Sequence, residues 1–171
     1  LHSSAGTNGD LFIDAGTDLA VGGNLSITAT RGNITQGAAV AVTGTSSFTT
    51  SASDGTITLS NTGNAFASAV TLSTTGSTAH ATIDNGTTTL DIDTSSIGGN
   101  LTLISGNASG ITDRGNVTVG GNLVATTNAG NGLINMGTLR VDGTVALTTN
   151  GNGAATVVNN DGLIFAASTV G

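Results

Sequence analysis

The chain has 171 residues and no cysteine, which excludes disulfide bonds and thiolate chemistry. Its net charge is −7, and its three Lys and Arg residues are too few to form the basic patch that nucleic-acid binding needs. Aromatic residues make up 2% of the chain, and no stretch approaches the roughly 20 apolar residues of a membrane-spanning helix. We therefore expect a narrow aliphatic core and no membrane insertion.

A block with one or two glycines returns along the chain. In chain order it reads VGGNLSIT at 21–28, VTGT at 42–45, IGGNLTL at 97–103, VGGNLV at 119–124 and VDGTV at 141–145. The matched glycines, which we predict to lie at turns, are Gly22, Gly44, Gly98, Gly120 and Gly143. Within each half, successive matches are separated by 22 positions (22 to 44 and 98 to 120) or by 23 (120 to 143). Self-similarity at a fixed period is typical of a solenoid, here with coils of about 22 residues.

Apolar and polar residues alternate inside the blocks, as in LSI at 25–27 and VTV at 117–119. Period two is typical of strands with one buried face. Pairs such as NG at 85–86 and 150–151 lie between the alternating segments and tolerate the positive φ of tight corners. Proline is absent, which suits uninterrupted strand pairing. Each coil is therefore predicted to consist of short β-strands joined by sharp turns.

A longer repeat of about 75 residues overlies the short one. LDIDTSSIG at 90–98 is echoed by LIFAASTVG at 163–171, an offset of 73 positions (90 to 163), and Gly22 by Gly98, an offset of 76 (22 to 98). We interpret this as a three-coil supra-repeat within a single solenoid domain, 1–171. Its copies are roughly 22–97 and 98–171, and 1–21 is the tail of a preceding repeat. The turn that leads to Gly98 is stretched, and within it 80–89 is the predicted place for an outward bulge or an insertion.

Several segments carry a family resemblance: GGNLS at 22–26, GGNLT at 98–102, GNITQG at 32–37, SNTGNAF at 60–66 with AVTL at 69–72, and TSSIGGNL at 94–101. They resemble the repeat regions of filamentous-haemagglutinin-like large exoproteins. These are surface adhesins of Gram-negative bacteria that are secreted by the two-partner route. The resemblance covers nearly the whole chain and implies a right-handed parallel β-helix, export, and a structural or adhesive role.

Candidates for acid–base or metal chemistry are few. Asp91 and Asp93 lie two residues apart with Asp84 upstream, and they are the best set for a cation or a sugar. The alternative is that Asp91 and Asp93 are solvent-facing positions that alternate with buried Leu90 and Ile92, which period two predicts by itself.

Other acidic and histidine residues lack the required spacing. Asp10, Asp14 and Asp18 do not follow the pattern of a calcium loop. His2 and His80 have no second ligand at metal-binding spacing, and no Gly-x-Ser-x-Gly elbow occurs. We therefore predict no catalytic residue, no cofactor and no enzymatic activity.

Asn24, Asn100 and Asn122 occupy the same place in their blocks. Stacked asparagines at an inner turn can hydrogen-bond along the coil axis as an amide ladder. We predict a structural role for these three residues.

The sequence favours a structural protein, the repeat unit of an extracellular bacterial fibre or adhesin stalk. We expect it on the cell surface or secreted, and stacked end to end through open coil edges on another copy or on adjoining repeats of its own chain. One alternative is an adhesin module that binds host or matrix glycans or a receptor. The other is a β-helix polysaccharide lyase or glycosidase.

Overall fold

The structure, a computed structural model, describes residues 9–13 and 16–171. All regular structure in this part of the chain is β-strand, and every pairing between its strands is parallel. Within those described residues, no helix is long and apolar enough to cross a membrane. The prediction of an all-β parallel solenoid is confirmed.

Successive coils pass through three strand positions. The first three coils contain β1 (Leu11–Ile13), β2 (Leu19–Val21) and β3 (Leu25–Ala29); β4 (Ile34–Gln36), β5 (Val40–Val42) and β6 (Ser46–Ser53); and β7 (Ile57–Leu59), β8 (Ala65–Phe66) and β9 (Val70–Thr75). The next two contain β10 (Ala81–Asp84), β11 (Leu90–Ile92) and β12 (Ser95–Ile97); and β13 (Leu101–Ser105), β14 (Ile111–Asp113) and β15 (Val117–Val119). The remaining strands are β16 (Leu123–Gly130) and β17 (Ile134–Val141); β18 (Thr144–Asn150) and β19 (Ala155–Asn159); and then β20 (Ile164–Phe165).

The strands form three sheets. The first sheet has the order β1-β4-β7-β10-β13-β16-β18-β20, and the second is β2-β5-β8. The third sheet contains β3, β6, β9, β12, β15 and β17, and it also takes in β11, β14 and β19. We call the turn after a first-sheet strand the first corner. The turn between the middle and last strands of a coil is the second corner, and the turn into the next coil is the third corner.

The register of the first sheet gives the coil length. Its partner residues run through Leu11, Ile34, Ile57, Ala81, Leu101, Leu123, Val145 and Phe165. These residues are 23, 23, 24, 20, 22, 22 and 20 positions apart, a mean of 22. The predicted coil length is confirmed.

Alternation along each strand fills a narrow interior with aliphatic side chains. In β3 the residues Leu25, Ile27 and Ala29 are buried, and the two residues between them are exposed. Phe48 and Phe66 are fully buried and pack edge to face, with ring centroids 5.6 Å apart. Because each sheet contributes only one face, the interior has room for about one apolar layer from each side.

The segment 80–89 is not the outward bulge that we predicted. β10 continues the first sheet here, and the step from Ala81 to Leu101 is one of the two shortest in that sheet. Asn85 is fully buried; its Oδ1 accepts the Phe66 N–H at 2.7 Å and its Nδ2 donates to the Phe66 carbonyl at 3.1 Å. This amide ties the corner to the preceding coil. The longest coil lies one step earlier, from Ile57 to Ala81.

One interior position buries an unpaired polar group. The side chain of Ser46 is buried between Leu25 and Val70, and its Oγ has no hydrogen-bond partner. We expect Ser46→Ala to raise the free energy of unfolding by about 1 kcal/mol, because a desolvated, unpaired hydroxyl is removed. Guanidinium unfolding measures this. Ser47→Ala, on the outer side of the same strand, is the matched control, and an equal gain there would contradict the explanation.

Candidate functional site: the coil corners

The matched glycines lie at two different corners. Gly22 and Gly44 precede β3 and β6 at the second corner, whereas Gly98, Gly120 and Gly143 precede β13, β16 and β18 at the third. The block that surrounds them therefore fits either corner. The offset between Gly22 and Gly98 corresponds to three coils and one further strand, which differs from the three-coil interpretation of the longer repeat.

Most of these glycines are required by close stacking of the backbone. A Cβ at Gly120 would lie 2.5 Å from the carbonyl oxygen of Gly98, and a Cβ at Gly98 would overlap the carbonyl of Gly76. Gly44 and Gly143 are confined in the same way. None of these four matched glycines has a positive φ, so close approach and not backbone conformation explains them.

Gly22 differs, because a Cβ there would meet nothing within 4 Å. We expect Gly120→Ala to lower the free energy of unfolding by about 1–3 kcal/mol, since the added methyl forces neighbouring coils apart. Gly22→Ala should stay within about 0.5 kcal/mol of the parent chain. Guanidinium unfolding of both variants checks this. Equal losses in the two variants would show that stacking distance is not the constraint.

A column of side chains with hydrogen-bonding capacity runs along the third corner, one position before each first-sheet partner residue from Leu11 to Val145. This corner column contains Asp10, Asn33, Thr56, His80, Asn100, Asn122 and Thr144. Five of its side chains accept the main-chain N–H of the next member: Asp10 from Asn33 at 2.7 Å, Asn33 from Thr56 at 2.8 Å, His80 from Asn100 at 2.8 Å, Asn100 from Asn122 at 2.9 Å, and Asn122 from Thr144 at 2.8 Å. The column thus pairs N–H groups at the corner along the axis.

Asn24 makes the same contact at the second corner, where its Oδ1 accepts the Thr45 N–H at 2.9 Å. Asn24, Asn100 and Asn122 are all exposed. Each bonds to the main chain of the next coil and not to another side-chain amide. The contacts run along the coil axis as expected for a ladder, but they lie on the outer surface and not at an inner turn.

The corner column depends on the side-chain atom that accepts the main-chain N–H of the next coil. Asn122→Ala removes the acceptor of the Thr144 N–H, so we expect the free energy of unfolding to fall by about 1 kcal/mol. Asn122→Asp keeps an oxygen in place, as Asp10 does naturally, and should recover most of the loss. Asn128→Ala changes an exposed asparagine outside the column and serves as the control. A loss in N122A no larger than in the control would contradict this role.

His80 belongs to the corner column and lies exposed, with Nδ1 accepting the Asn100 N–H. The structure brings no group of three His, Cys, Asp or Glu side chains together as a metal site within residues 9–13 and 16–171. His2 lies outside the described residues. In its observed role, His80 substitutes for the asparagine found at this corner in later coils.

The candidate carboxylates Asp84, Asp91 and Asp93 each have their own partner. Asp84 is buried at the first corner, where its Oδ1 accepts the Gly86 N–H at 2.8 Å. Asp93 accepts the Thr94 N–H at 2.7 Å. The three carboxylates therefore act as turn and strand acceptors and do not converge on one point.

Asp91 lies on the outer side of β11 and forms an ion pair with Arg114. It also accepts the Thr112 hydroxyl at 3.2 Å. The hydrogen bond from Arg114 to Asp91 raises the pKa of the guanidinium, and the charges of Asp91 and Asp93 add to this effect. Arg114 therefore engages Asp91, one of the carboxylates that the sequence analysis proposed for a cation or a sugar.

The long strands β6 and β16 end in matching turns. Asp54 and Asn131 follow them with positive φ, 62° and 63°. Each side chain accepts an N–H of the next coil, Asp54 from Thr78 at 3.0 Å and Asn131 from Asn152 at 2.8 Å. The hydrogen bond from the Thr78 main chain holds the pKa of Asp54 below its usual value. Aspartate and asparagine are thus used interchangeably as acceptors here.

The acidic run near the start of the chain has the same use. Asp10 caps Asn33, and Asp18 accepts the Ala39 N–H at 3.1 Å. Asp14 lies outside the described residues. Asp10 and Asp18 lie at two corners of the first coil, and each accepts a main-chain N–H of the next coil.

Asn64 and Asn85 are buried, whereas sequence reasoning placed Asn85 in a turn pair and did not single out Asn64. Asn64 Oδ1 accepts the Val40 N–H at 2.9 Å and the Gln36 amide at 2.8 Å, and its Nδ2 donates to the Asp84 carbonyl at 3.0 Å. Asn85 holds the next corner, as described above. The sequence carried no signal for their burial, because Asn64 follows Gly63 and Asn85 lies between Asp84 and Gly86, contexts that are typical of exposed turns. Neither belongs to a repeated block.

A model of a family described as repeats of unknown function (DUF5649) matches residues 7–73. This segment ends within β9 and covers about the first three coils. No curated protein and no solved structure matches the chain. The comparison supports a repeat protein and assigns no activity to it.

Proposed function

We propose that this chain is a non-catalytic repeat unit of an extracellular bacterial fibre or adhesin stalk, of the filamentous-haemagglutinin-like kind. The observation that carries the proposal is the unbroken parallel ladder of the first sheet, from β1 to β20. A continuous ladder of this kind makes the domain a stiff rod.

The ladder gives the rod its mechanical properties. Seven coil steps at about 4.8 Å each make an axis of about 34 Å. Every internal coil has its main chain bonded to the coil before and after it, so pulling along the axis loads many hydrogen bonds together. The chain has three Lys and Arg residues, so trypsin-like proteases meet few cleavage points.

The proposal includes stacking of coil on coil beyond β20. Phe165 pairs in register with buried Val145 but is itself 57% exposed, and neighbouring Ile164 is 61% exposed. Another coil, from adjoining repeats of the same chain or from another copy, would bury the Phe165 side chain, whereas Ile164 pairs with Thr144 at the corner-column position, which stays on the outer surface.

The bacterial surface location rests on the resemblance to exported adhesins, and the small number of Lys and Arg residues, which are the cleavage points of trypsin-like proteases, agrees with it. The absence of catalysis is part of the proposal, and it is supported by the separate partners of Asp84, Asp91 and Asp93.

A second candidate is binding of neutral glycans. It is supported by a column of outward hydroxyls on the third sheet, one for each of five coils: Thr28, Thr49, Ser73, Ser96 and Thr118. Hydroxyl groups both donate to and accept from sugars. A glycan array without signal above background would remove this candidate.

Localisation in the producing cells tests the main proposal. We expect an antibody against residues 16–171 to label intact, unpermeabilised cells, with gold particles standing away from the membrane in electron micrographs. An antibody to a cytoplasmic protein is the control. Label that appears only after permeabilisation would contradict the proposal. The mass of the fully denatured protein then separates a polymerising subunit, near 16.4 kDa, from a much longer repeat chain.

A further inference from the structure

The longer repeat is visible in the structure as a repeated series of strands. β2 to β6 have lengths of 3, 5, 3, 3 and 8 residues, and β12 to β16 have the same lengths in the same order. Their first residues are offset by 76 or 77 positions. β17 then takes the place of β7 and β8, and β18, β19 and β20 follow β9, β10 and β11 at an offset of 74. One repeat therefore contains ten strand positions.

Side-chain hydrogen bonds also recur between the two copies, at offsets of 73 to 77 positions. Thr50 Oγ1 donates to the Gly55 carbonyl and Thr127 Oγ1 to the Gly132 carbonyl, both at 2.9 Å. Another such pair joins main-chain N–H groups to serines: Leu72 to Ser95 Oγ and Leu147 to Ser168 Oγ, both at 3.0 Å. The two copies thus share local structure and not only sequence.

Ten strand positions are three coils of three strands plus one further strand. Equivalent strands of the two copies therefore belong to different sheets. β3 and β6 belong to the third sheet, whereas their equivalents β13 and β16 belong to the first. β2 belongs to the second sheet and its equivalent β12 to the third. Each copy is turned by one sheet relative to the copy before it.

The glycine of the repeat occurs a third time, at Gly171, and its corner continues the rotation by one sheet per copy. Gly98 N–H donates to Thr74 Oγ1 at 3.2 Å, and Gly171 N–H donates to Thr149 Oγ1 at 3.1 Å. Gly22 lies at the second corner and Gly98 at the third. Gly171 lies at the first corner, because it stacks on Gly151, directly after the first-sheet strand β18.

We propose that the coil containing β20 accepts a further copy of this repeat in one rotational setting, turned by one sheet again. Three copies, or ten coils, then bring equivalent residues back to the same face. This inference rests on the proposed function only in taking the rod to be longer than two copies. The partner is another copy of the repeat, and the interface is the edge formed by β20 and residues 166–171.

The turn determines what the rod presents to other molecules. A surface residue that occurs once in each repeat is displayed on each of the three faces in succession, about 16 Å apart along the axis. Equivalent residues therefore wind around the rod and do not form one continuous binding face.

The test uses cysteine pairs for spin labels, since the chain has no cysteine of its own. Thr28 and Ile104 are equivalent in the two copies, whereas Thr28 and Ser96 stack in one column three coils apart, through Thr49 and Ser73. The control pair T28C/S96C should show the dipolar broadening of labels about 14 Å apart. We expect T28C/I104C to lose this broadening and to give a longer distance by pulsed measurement.

The further copy is tested in a fused chain in which residues 99–171 follow Gly171 directly. Ile104 and its counterpart in the added copy should again lie farther apart than the same-column control I104C/T169C, which spans three coils of the first sheet. A single cooperative unfolding transition is expected for the fused chain.

Two results overturn the proposal and can be told apart. A fused chain could unfold as one unit but give distances equal to those of the same-column control. This result would contradict the rotation by one sheet and would not count against the proposed structural function. An added copy that unfolds in a separate transition would show that the β20 coil does not accept it. That second result would also count against the stacked rod.

Discussion

The main-chain hydrogen bond between neighbouring coils is the interaction on which the whole structure depends. At the third corner, for example, Ile34 N–H donates to the Thr56 carbonyl at 2.8 Å and Ala81 N–H to the Asn100 carbonyl at 2.9 Å. This bond fixes the spacing between neighbouring coils at about 4.8 Å. Backbone segments at the corners then approach too closely for a Cβ, which explains the glycines. Inward side chains have to stack directly on their equivalents, which favours aliphatic residues of similar size.

The solenoid and its coil length were predictable from the sequence because alternation and glycine spacing are local patterns with a direct structural meaning. The sheet to which each block belongs was not predictable in the same way. A Gly-Gly-Asn turn fits the second corner at Gly22 and the third at Gly98, so sequence similarity does not identify the corner. That assignment depends on counting every strand in between, including weak ones such as β8, which has two residues.

The corner column was recognised only in part, for a chemical reason. Asn100 and Asn122 lie in similar blocks and so could be compared by sequence. Asp10, Asn33 and His80 do the same work in unlike sequence contexts, because the corner requires an acceptor atom and not a particular residue type. For the candidate carboxylates Asp84, Asp91 and Asp93, the sequence suggested more than the structure contains. Their spacing suggested a shared site, but nearby main-chain donors and Arg114 engage them separately.

Coil length varies while the first sheet keeps its register, from the long step between Ile57 and Ala81 to the short step between Ala81 and Leu101. The difference is absorbed at the corners, so residues gained or lost in one coil do not displace the strands of the next. In evolutionary terms, the corners can change in length while the axis is preserved. New surface loops can therefore arise at these positions, one coil at a time, and a rod of this kind can diversify what it displays without redesigning what supports it.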